Sequence, residues 1–425
     1  MKDIAEKSLF DIPGTWKTLL WILVLLGIGM FIAGLMTGGE ESVVRTWQAF
    51  LINTVFWGGI AHAGVIFAVI WQITDAKWGR AFKRLAEACA GFLPISFLMF
   101  MVVFFGSHVL YEWTHTPFLH HGEAVKQGWL NLPFFISRNV FWLLLIYGIS
   151  YWFIKTSIKP DIALARRLIG SDWGGKFADW VLEDYGEHET EVIRLEKLSR
   201  KIAPVLAFVY SIGGSFLAWD FVMTLDQTWF STLFGVFVMI GNMHAFLGLM
   251  LVVAVTVRKK FAIEEYISIN RLHDLAKMTF AFSLLWTYMG YSQYIVIWYA
   301  DLPEETPYLI IRSMNAPWNT LFLVIILWVF VSVFLGLLPR TLCRIPNYIR
   351  LMGIWVMLGQ LLSVYIMVVP SLQHDGHYHI FMGMHELLIT LGFVGAFFLC
   401  YLAFLGKLPI LPISDKHLCR TWHGH

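Results

Sequence analysis

Residues 49–71 read AFLINTVFWGGIAHAGVIFAVIW, a run of 23 residues without an acidic or basic side chain other than one histidine. A helix needs about 20 apolar residues to cross a hydrocarbon layer of about 30 Å. This run therefore predicts a transmembrane helix. Nine similar runs bring the total to ten, at about Thr18–Met36, Ala49–Trp71, Ala88–Leu110, Phe134–Ile154, Ala203–Met223, Thr232–Val257, Met278–Trp298, Thr320–Leu338, Leu351–Val369 and Leu387–Leu405.

The composition agrees with a membrane protein. Of the 425 residues, 58% are hydrophobic, 16% aromatic and only 14% charged. A water-soluble protein of this length would leave large apolar patches exposed. We therefore predict an all-α integral membrane protein of about ten helices, with lipid around it. The net charge of +2 gives no support for nucleic-acid binding.

The lysines and arginines lie almost entirely on alternate loops. Of the 31, all but Arg45, Lys126, Arg138 and Arg312 fall in the N-terminal segment, in the loops after spans two, four, six and eight, or in the C-terminal tail. Basic loops stay on the cytoplasmic side of a membrane. We therefore expect both termini in the cytoplasm and an N-terminal segment that is not cleaved as a signal peptide.

Four regions follow along the chain. Residues 1–154 hold the N-terminal segment and spans one to four, and residues 203–405 hold spans five to ten. Between them, residues 155–202 are charged and periodic, which predicts amphipathic helices at the inner surface. These helices are either a plain connector or a docking surface for a cytoplasmic partner. Residues 406–425 form a cytoplasmic tail.

Cysteine and proline placement narrows the function classes. Cys89, Cys343, Cys400 and Cys419 show no C-x-x-C spacing, so no disulfide, iron–sulfur or zinc framework is predicted. A redox centre would then belong to a partner or to a diffusible carrier. Only Pro94 falls clearly inside a span, near its cytoplasmic end, whereas transporters commonly carry helices broken at mid-membrane. Continuous helices packed as a bundle are therefore favoured.

Two histidines lie near the middle of the membrane. His62 and His244 each have glycines on their own helix face, which predicts that both point toward a closely packed neighbour. A neutral imidazole can accept a proton on one nitrogen and donate one from the other. Three interpretations stay open: a proton pathway, histidines that only support packing, and a single haem bound between the two.

Polar residues are dense toward the expected outer face. They are His108, Glu112 and His115 at the end of span three, Arg138 and Asn139 in span four, Asp220 and Asp226 at the end of span five, Tyr291, Gln293 and Tyr294 in span seven, and His385 and Glu386 at the start of span ten. Acids, bases and aromatic rings together suit a quinone, whose flat ring needs an apolar pocket and whose oxygens exchange protons. The alternative is an aromatic belt with ordinary ion pairs, such as Arg138 with Asp220 or Glu112.

One outer loop is rich in histidine. His374, Asp375, His377 and His379 lie within six residues. Their spacing is a weak metal-ligand pattern. Contact with a partner or simple solvation is the stronger interpretation, and we predict no metal site.

Two segments carry a resemblance to a known family. WLNLPFFISRNVFW, from Trp129 to Trp142, and AWDFVMTLDQTWFSTLFG, from Ala218 to Gly235, resemble the polysulfide-reductase or NrfD type of membrane subunit. Within that family the chain is most similar to the smaller of the two such subunits of alternative complex III, a quinol:cytochrome c oxidoreductase. The span count and the long connection after span four agree with the resemblance.

The resemblance implies an architecture and a set of partners. The expected fold is two four-helix bundles with peripheral helices and no bound cofactor. The expected partners are a larger NrfD-like membrane subunit, an iron–sulfur protein and c-type cytochromes, with a quinol of the menaquinone type as diffusible substrate. The quinol would lie near His108, Arg138 and Asp220. Protons would pass through polar bundle interiors, for which we select His62, Asn242, His244, Asp220, Asp226, Glu112, Gln293, Tyr291 and Glu386.

The resulting hypothesis is a membrane subunit of a bacterial quinol:electron-acceptor oxidoreductase in the inner membrane. The subunit would bind quinol, translocate protons, or do both. A proton-coupled secondary transporter and a structural anchor for peripheral redox subunits are the rivals.

Overall fold

The computed structural model describes residues 12–37, 39–115, 127–170, 172–373 and 379–415. In these residues the regular elements are all helical, and the protein is an all-α integral membrane protein. The α-helices are α1 (Gly14–Thr37), α2 (Glu40–Thr74), α3 (Lys83–Glu87), α4 (Leu93–Phe105), α5 (Ser107–Leu110), α6 (Leu132–Ile169), α7 (Gly175–Leu182), α8 (His188–Phe221), α9 (Phe234–Lys260), α10 (Ile269–Ala300), α11 (Thr306–Ser313), α12 (Trp318–Ile325), α13 (Val333–Leu337), α14 (Pro346–Val368) and α15 (Met384–Leu405).

Nine helical segments of the described residues are long and apolar enough to cross a membrane. They are Gly14–Thr37, Glu40–Thr74, Arg80–Phe105, Leu132–Ile169, His188–Leu225, Phe234–Lys260, Trp318–Leu337, Pro346–Leu372 and Met384–Leu405. The remaining expected span, Met278–Trp298, lies in α10, whose 32 residues are also long enough. Polar side chains such as Gln293 make α10 less apolar than the others.

The helices form two bundles, as expected. The first bundle contains α2, the span from α3 to α4, α6 and α8, and the second contains α9, α10, the span from α12 to α13, and α14. Contacts of α9 with α2 and α8 join the bundles. Helices α1 and α15 pack together beside α2, where a Cβ on Gly27 would lie 2.5 Å from the Cα of Gly392. We call the end of the protein with the basic loops the basic end, and the opposite end the far end.

Helix α2 is the centre of the molecule. All its residues from Thr46 to Val69 are buried, so both bundles and the peripheral helices surround it. In α1, by contrast, only Leu20, Gly27 and Gly34 are buried. The lipid-facing α1 is thus more apolar in sequence than the central α2, so the burial of α2 follows from packing and not from hydropathy.

The connection after span four differs from the expected surface helices. Helix α6 runs without interruption from Leu132 to Ile169 and ends at Gly170, whose φ is +146°. Helix α8 already begins at His188. Most of residues 155–202 therefore prolong spans four and five, and only the short α7 stands apart. The charged periodic residues after span four continue α6, and those before span five belong to the start of α8.

Two spans depart from regular α-helix. In span three, residues Ala88–Phe92 form a 3₁₀ turn directly before Pro94, which cannot donate the helical hydrogen bond. In span eight, residues Ile326–Ser332 form a π-helical segment. That segment contains no proline or glycine, so no residue in it predicts the departure from α-helix. Such π segments are frequent at functional sites.

Candidate functional site

A buried ion pair closes the far end of the first bundle. Arg138 on α6 holds Asp220 on α8 with two hydrogen bonds, from Nε to Oδ2 at 2.6 Å and from Nη2 to Oδ1 at 2.7 Å. The amide of Asn139 donates a third, to Oδ2 at 2.7 Å. Asp220 is fully buried. The bidentate geometry stabilises the ionised carboxylate and fixes both helices.

Aromatic rings cover the same arginine. The guanidinium carbon of Arg138 lies 4.2 Å from the ring centre of Trp129 and 4.8 Å from that of Phe134. Its Nη1 donates to the Trp129 carbonyl at 2.7 Å. The pair is therefore shielded from water, and its two charges neutralise each other. A proton could reach the Asp220 carboxylate only if this pair opened.

The end of span three reaches the ion-pair end of α8, where the Tyr111 hydroxyl donates to the Phe221 carbonyl at 3.1 Å. His108 is exposed, and its Nδ1 is 3.4 Å from the Thr114 hydroxyl. Its ring is 6.2 Å from that of His115. Glu112 lies in the adjoining short 3₁₀ turn. The structure thus contains the Arg138–Asp220 ion pair that the aromatic-belt interpretation predicts. A joint role of His108 and Asp220 in quinol binding stays a prediction.

His62 lies inside the first bundle with two tyrosines. Its ring centre is 4.8 Å from that of Tyr147 on α6 and 5.9 Å from that of Tyr210 on α8. The Tyr147 hydroxyl is 2.8 Å from the Ser96 hydroxyl. The Nε2 atom of His62 is buried and has no hydrogen-bond partner among the described residues. An unpaired polar atom of this kind is a position where an ordered water or a transient proton carrier fits.

His244 lies inside the second bundle. Its Nδ1 is 2.9 Å from the amide nitrogen of Gln360 on α14. If that amide donates, Nδ1 accepts and the imidazole proton is on Nε2, which is buried and has no partner among the described residues. His62 thus contacts helices of the first bundle and His244 a helix of the second, and a haem between the two histidines stays an untested alternative. Two separate polar interiors result.

Asn242 is at the junction of the bundles. A Cβ on Gly59 of α2 would lie 2.3 Å from the Asn242 amide group. Only glycine at position 59 leaves room for this side chain. Asn242 therefore lies between α2, which carries His62, and α9, which carries His244.

A charged network that the sequence interpretation missed closes the basic end of the first bundle. Arg84 donates from Nε to Asp161 Oδ2 at 2.6 Å and also pairs with Glu87. Ser157 donates to Glu87 at 2.6 Å. Glu87 and Asp161 are both fully buried. The clue in the sequence was an arginine and a glutamate three residues apart at the start of an apolar span, which pair on one helix face.

The C-terminal segment joins this network. The backbone N–H of Ser414 donates to Asp161 Oδ1 at 2.8 Å, and Asp415 pairs with Arg80. Leu408, Ile410 and Leu411 are buried in front of it. Within the described residues, the expected cytoplasmic tail thus packs against the first bundle instead of lying free.

The far end of the second bundle contains a cavity of about 440 Å³. Tyr291, Gln293 and Tyr294, all expected at the outer face, line it. The Gln293 carbonyl accepts from the Ser231 hydroxyl at 3.0 Å. Asp226, in the same loop between α8 and α9, accepts from Thr228 and Trp229. The loop after span five therefore meets the polar residues of span seven at this cavity.

Arg312, at the edge of this cavity, was noticed in the sequence only as an exception to the charge pattern. It is fully buried beneath Tyr308, with 3.5 Å between the guanidinium carbon and the ring centre. Burial lowers the pKa of Arg312, and the same cause raises the pKa of Tyr308. Arg312 has no ion-pair partner within 4.0 Å among the described residues.

Glu386 and its neighbours form a third far-end cluster. Arg45 on α2 donates from Nε to Glu386 Oε1 at 2.8 Å, and Glu386 accepts from the Gly383 N–H at 2.8 Å, which caps α15. His385 Nε2 is 2.8 Å from the Thr46 hydroxyl. These contacts attach α15 to α2. The predicted outer-face residues thus divide among three separate clusters.

Two expectations concern metal sites. Within the described residues no three His, Cys, Asp or Glu side chains come together as metal ligands. Of the histidine-rich loop, only His379 is described, and its backbone bonds to Gln373. His374, Asp375 and His377 lie outside the described residues.

Comparison with known proteins gives no assignment. No protein-family model matches this sequence, and no curated protein matches it.

Proposed function

We propose that the chain is a membrane subunit of a bacterial quinol:electron-acceptor oxidoreductase, in which the first bundle conducts protons. The observation that supports this role is a succession of polar groups at three depths of one apolar bundle. The Arg84 network lies at the basic end, His62 with Tyr147 and Ser96 at mid-depth, and the Arg138–Asp220 pair at the far end. Buried polar groups in a membrane are costly, and they usually mark pathways for ions or protons.

Helix α6 gives the spacing of these groups. Asn139, Tyr147 and Ser157 lie on its buried face. With a rise of 1.5 Å per residue, the two intervals are about 12 Å and 15 Å. Direct hydrogen bonds cannot cover these intervals, so proton transfer requires ordered water beside apolar residues. The unpaired Nε2 of His62 is a partner for such a water.

The remaining parts of the complex follow from the sequence resemblance. Electrons from the quinol, of the menaquinone type, would pass to an iron–sulfur protein and c-type cytochromes, beside a larger NrfD-like membrane subunit. Both termini would face the cytoplasm, which places the Arg84 network on the side of proton uptake. One charge moved across 100 mV corresponds to about 2.3 kcal/mol, so a pathway of this kind could conserve energy at each turnover.

The test uses the complex purified through a tag on this chain and reconstituted in vesicles. The first measurement identifies co-purifying redox subunits by mass spectrometry. The second follows acidification driven by a menaquinol analogue. Tyr147→Phe removes the hydroxyl beside Ser96 and His62 but keeps the ring, and we expect proton translocation to fall about a hundredfold, at the low end of the range for a proton-transfer group.

The control is Tyr288→Phe, since Tyr288 is 62% exposed on α10. It should leave translocation unchanged. Equal translocation in both variants would contradict a pathway through the first bundle. A complex without any redox subunit would contradict the oxidoreductase assignment itself.

The π segment in span eight favours a second candidate, a proton-coupled transporter. Irregular helix at mid-membrane is common in transporters, and this segment borders the cavity of the second bundle through Ile326 and Phe330. Uptake of a solute by the isolated chain in liposomes under a proton gradient would establish this function. Absence of uptake together with quinol-dependent turnover would exclude it.

A further inference from the structure

The cavity at the far end of the second bundle has the walls of a ring-binding site. Nine aromatic side chains from α9, α10, α11, the span from α12 to α13 and the loop before α9 line it, among them Trp229, Phe237, Trp286, Tyr308, Phe322 and Phe330. Trp229 and Tyr308 stack face to face with 3.8 Å between ring centres and 7° between planes. Phe237 stacks on Trp286 at 5.3 Å. Flat walls of this kind accept a flat conjugated ligand better than a flexible one.

Arg312 supplies positive charge to this apolar space. Its Nε and Nη2 donate to the carbonyls of Ile366 and Met367 at 3.0 and 3.1 Å, in the last turn of α14. Nη2 also donates to the Ser371 hydroxyl at 2.6 Å, and Nη1 donates to the Tyr308 carbonyl at 3.0 Å. One hydrogen of Nη1 has no partner among the described residues.

The charge of Arg312 is compensated only in part. The carboxyl end of a helix carries about half of a negative elementary charge, and the described residues place no carboxylate within ion-pair distance of Arg312. The carboxylate of Asp226 acts on Arg312 from beyond that distance, so only part of the positive charge remains at the cavity. A ligand oxygen with partial negative charge would gain more there than in water, because the surroundings are apolar.

Other polar groups in the walls are also incompletely bonded. The Ser363 hydroxyl lines the cavity, is 2% exposed as a residue, and forms no hydrogen bond with the described part of the chain. The Trp286 N–H is buried without a partner among the described residues. It faces Gly241 and Gln360, the residue that contacts His244. The cavity is thus one side chain away from the buried histidine of the second bundle.

We propose that this cavity binds the ring of a quinone, with one carbonyl oxygen near Arg312 and Ser363 and the hydrocarbon tail leaving past the exposed Tyr291. The inference deepens the proposed function, since it moves the quinone from the Arg138–Asp220 pair to the second bundle. Asp220 offers no free proton acceptor while Arg138 and Asn139 hold it. Here, in contrast, a shaped space, a cation and unpaired donors coincide.

A phospholipid fits the cavity less well. An acyl chain would gain nothing from the stacked rings or from the unpaired donors. A phosphate group would lose its hydration in a space that offers a single arginine, most of whose N–H groups are already bonded, and burial of a charge with such poor compensation is unfavourable. A neutral carbonyl oxygen loses far less on entering.

The experiment labels the purified full chain in detergent with a photoreactive azidonaphthoquinone and locates the label by peptide mass spectrometry. We expect the label in residues 229–237, 286–294 or 308–326. An excess of menaquinone-4 should remove it, and an equal excess of phosphatidylglycerol should not. Labelling in residues 129–142 or 218–226 would overturn the proposal, and so would equal competition by the phospholipid.

Two matched variants test the position. Thr287 lines the cavity and Ser292 lies on the same helix outside it, and the hydroxyl of each bonds to a carbonyl four residues earlier. Thr287→Trp fills the cavity and should reduce labelling at least tenfold, whereas Ser292→Trp should not. If Thr287→Trp does not fold, Ser363→Ala removes one donor without added bulk and should weaken labelling about fivefold.

The outcomes separate this site from the proposed function. Loss of labelling in the Thr287→Trp chain, together with reduced proton translocation by the Tyr147→Phe complex and unchanged translocation by the Tyr288→Phe complex, supports both. Redox subunits that co-purify while the label maps elsewhere leave the oxidoreductase standing and remove the site. Specific labelling of a chain that purifies without redox subunits keeps the site and removes the oxidoreductase.

Discussion

Each bundle has a buried arginine at its far end, and the two arginines differ in how fully their charge is neutralised. Arg138 and Arg312 are both buried and both lie against aromatic rings, at 4.2 Å from Trp129 and 3.5 Å from Tyr308. Arg138 forms a bidentate ion pair with the carboxylate of Asp220, which neutralises its charge. Arg312 has helix-end carbonyls and a cavity beside it. A neutralised arginine fastens helices, whereas a partly compensated one leaves attraction for a ligand.

The largest expected effect comes from breaking the Arg138–Asp220 pair. Asp220→Leu leaves the Arg138 charge buried without a carboxylate, which should destabilise the protein by about 3–5 kcal/mol. Replacing both residues, as Arg138→Met with Asp220→Leu, should restore most of that loss. Unfolding of the purified variants in a graded denaturing detergent measures this. A double variant as unstable as the single one would show that the pair does more than neutralise charge.

The Arg84 network is an intermediate case, because one arginine there is shared by two carboxylates. Ser414→Ala removes the hydrogen bond from the Ser414 hydroxyl to Asp161 and keeps the one from the backbone N–H. We expect a loss of about 1 kcal/mol. The same unfolding assay measures it, with Ser211→Ala as control, whose hydroxyl bonds to the Ala207 carbonyl of its own helix. A loss above about 3 kcal/mol would mean that Asp161 depends on Ser414 for its charge.

Supplying Arg312 with a carboxylate should turn the second site into a copy of the first. Ser371 accepts a hydrogen bond from Arg312 at 2.6 Å, so Ser371→Asp places an anion beside it. We expect naphthoquinone labelling to fall about fivefold, close to 1 kcal/mol, because the potential that attracts the ligand oxygen is cancelled. Ser371→Asn is the neutral control of similar size. Equal labelling of both variants would show that charge does not matter at this site.

The smallest effect should come from the Arg45–Glu386 pair, which shows whether burial or pairing causes the cost. Its side chains are 27% and 15% exposed. Glu386→Gln keeps a cap for α15 and should cost less than about 1 kcal/mol. A cost similar to that of Asp220→Leu would remove the distinction between buried and partly exposed pairs that the comparison rests on.

The sequence predicts the membrane helices well because hydropathy and length suffice for them. It also identifies Asp220 as a group that needs a partner, and Arg138 as one partner to consider. It fails at the Arg84 network, because Arg84 resembles an ordinary basic loop residue and Asp161 lies in a charged connection. Only tertiary packing brings residues 84, 161 and 414 together, and no local pattern records that.

The arginines outside the charge pattern indicate places where the structure holds a cation by specific contacts. Arg45, Arg138 and Arg312 are all exceptions to the distribution of basic residues, and the structure gives each a specific set of contacts. A cation on the unfavoured side needs a local reason to be there. The cavity beside Arg312 could not be foreseen, since it depends on a π-helical segment without proline or glycine.

The link between Asp161 and Ser414 sets an order for assembly of the protein. The two residues are 253 positions apart, and the six later spans separate them. During membrane insertion Asp161 can pair with Arg84 early. Its Oδ1 atom, however, has to bind water or another group until the last span has entered and the segment behind it folds back. The basic end of the first bundle is thus the last part to close, although its helices are among the first to be made.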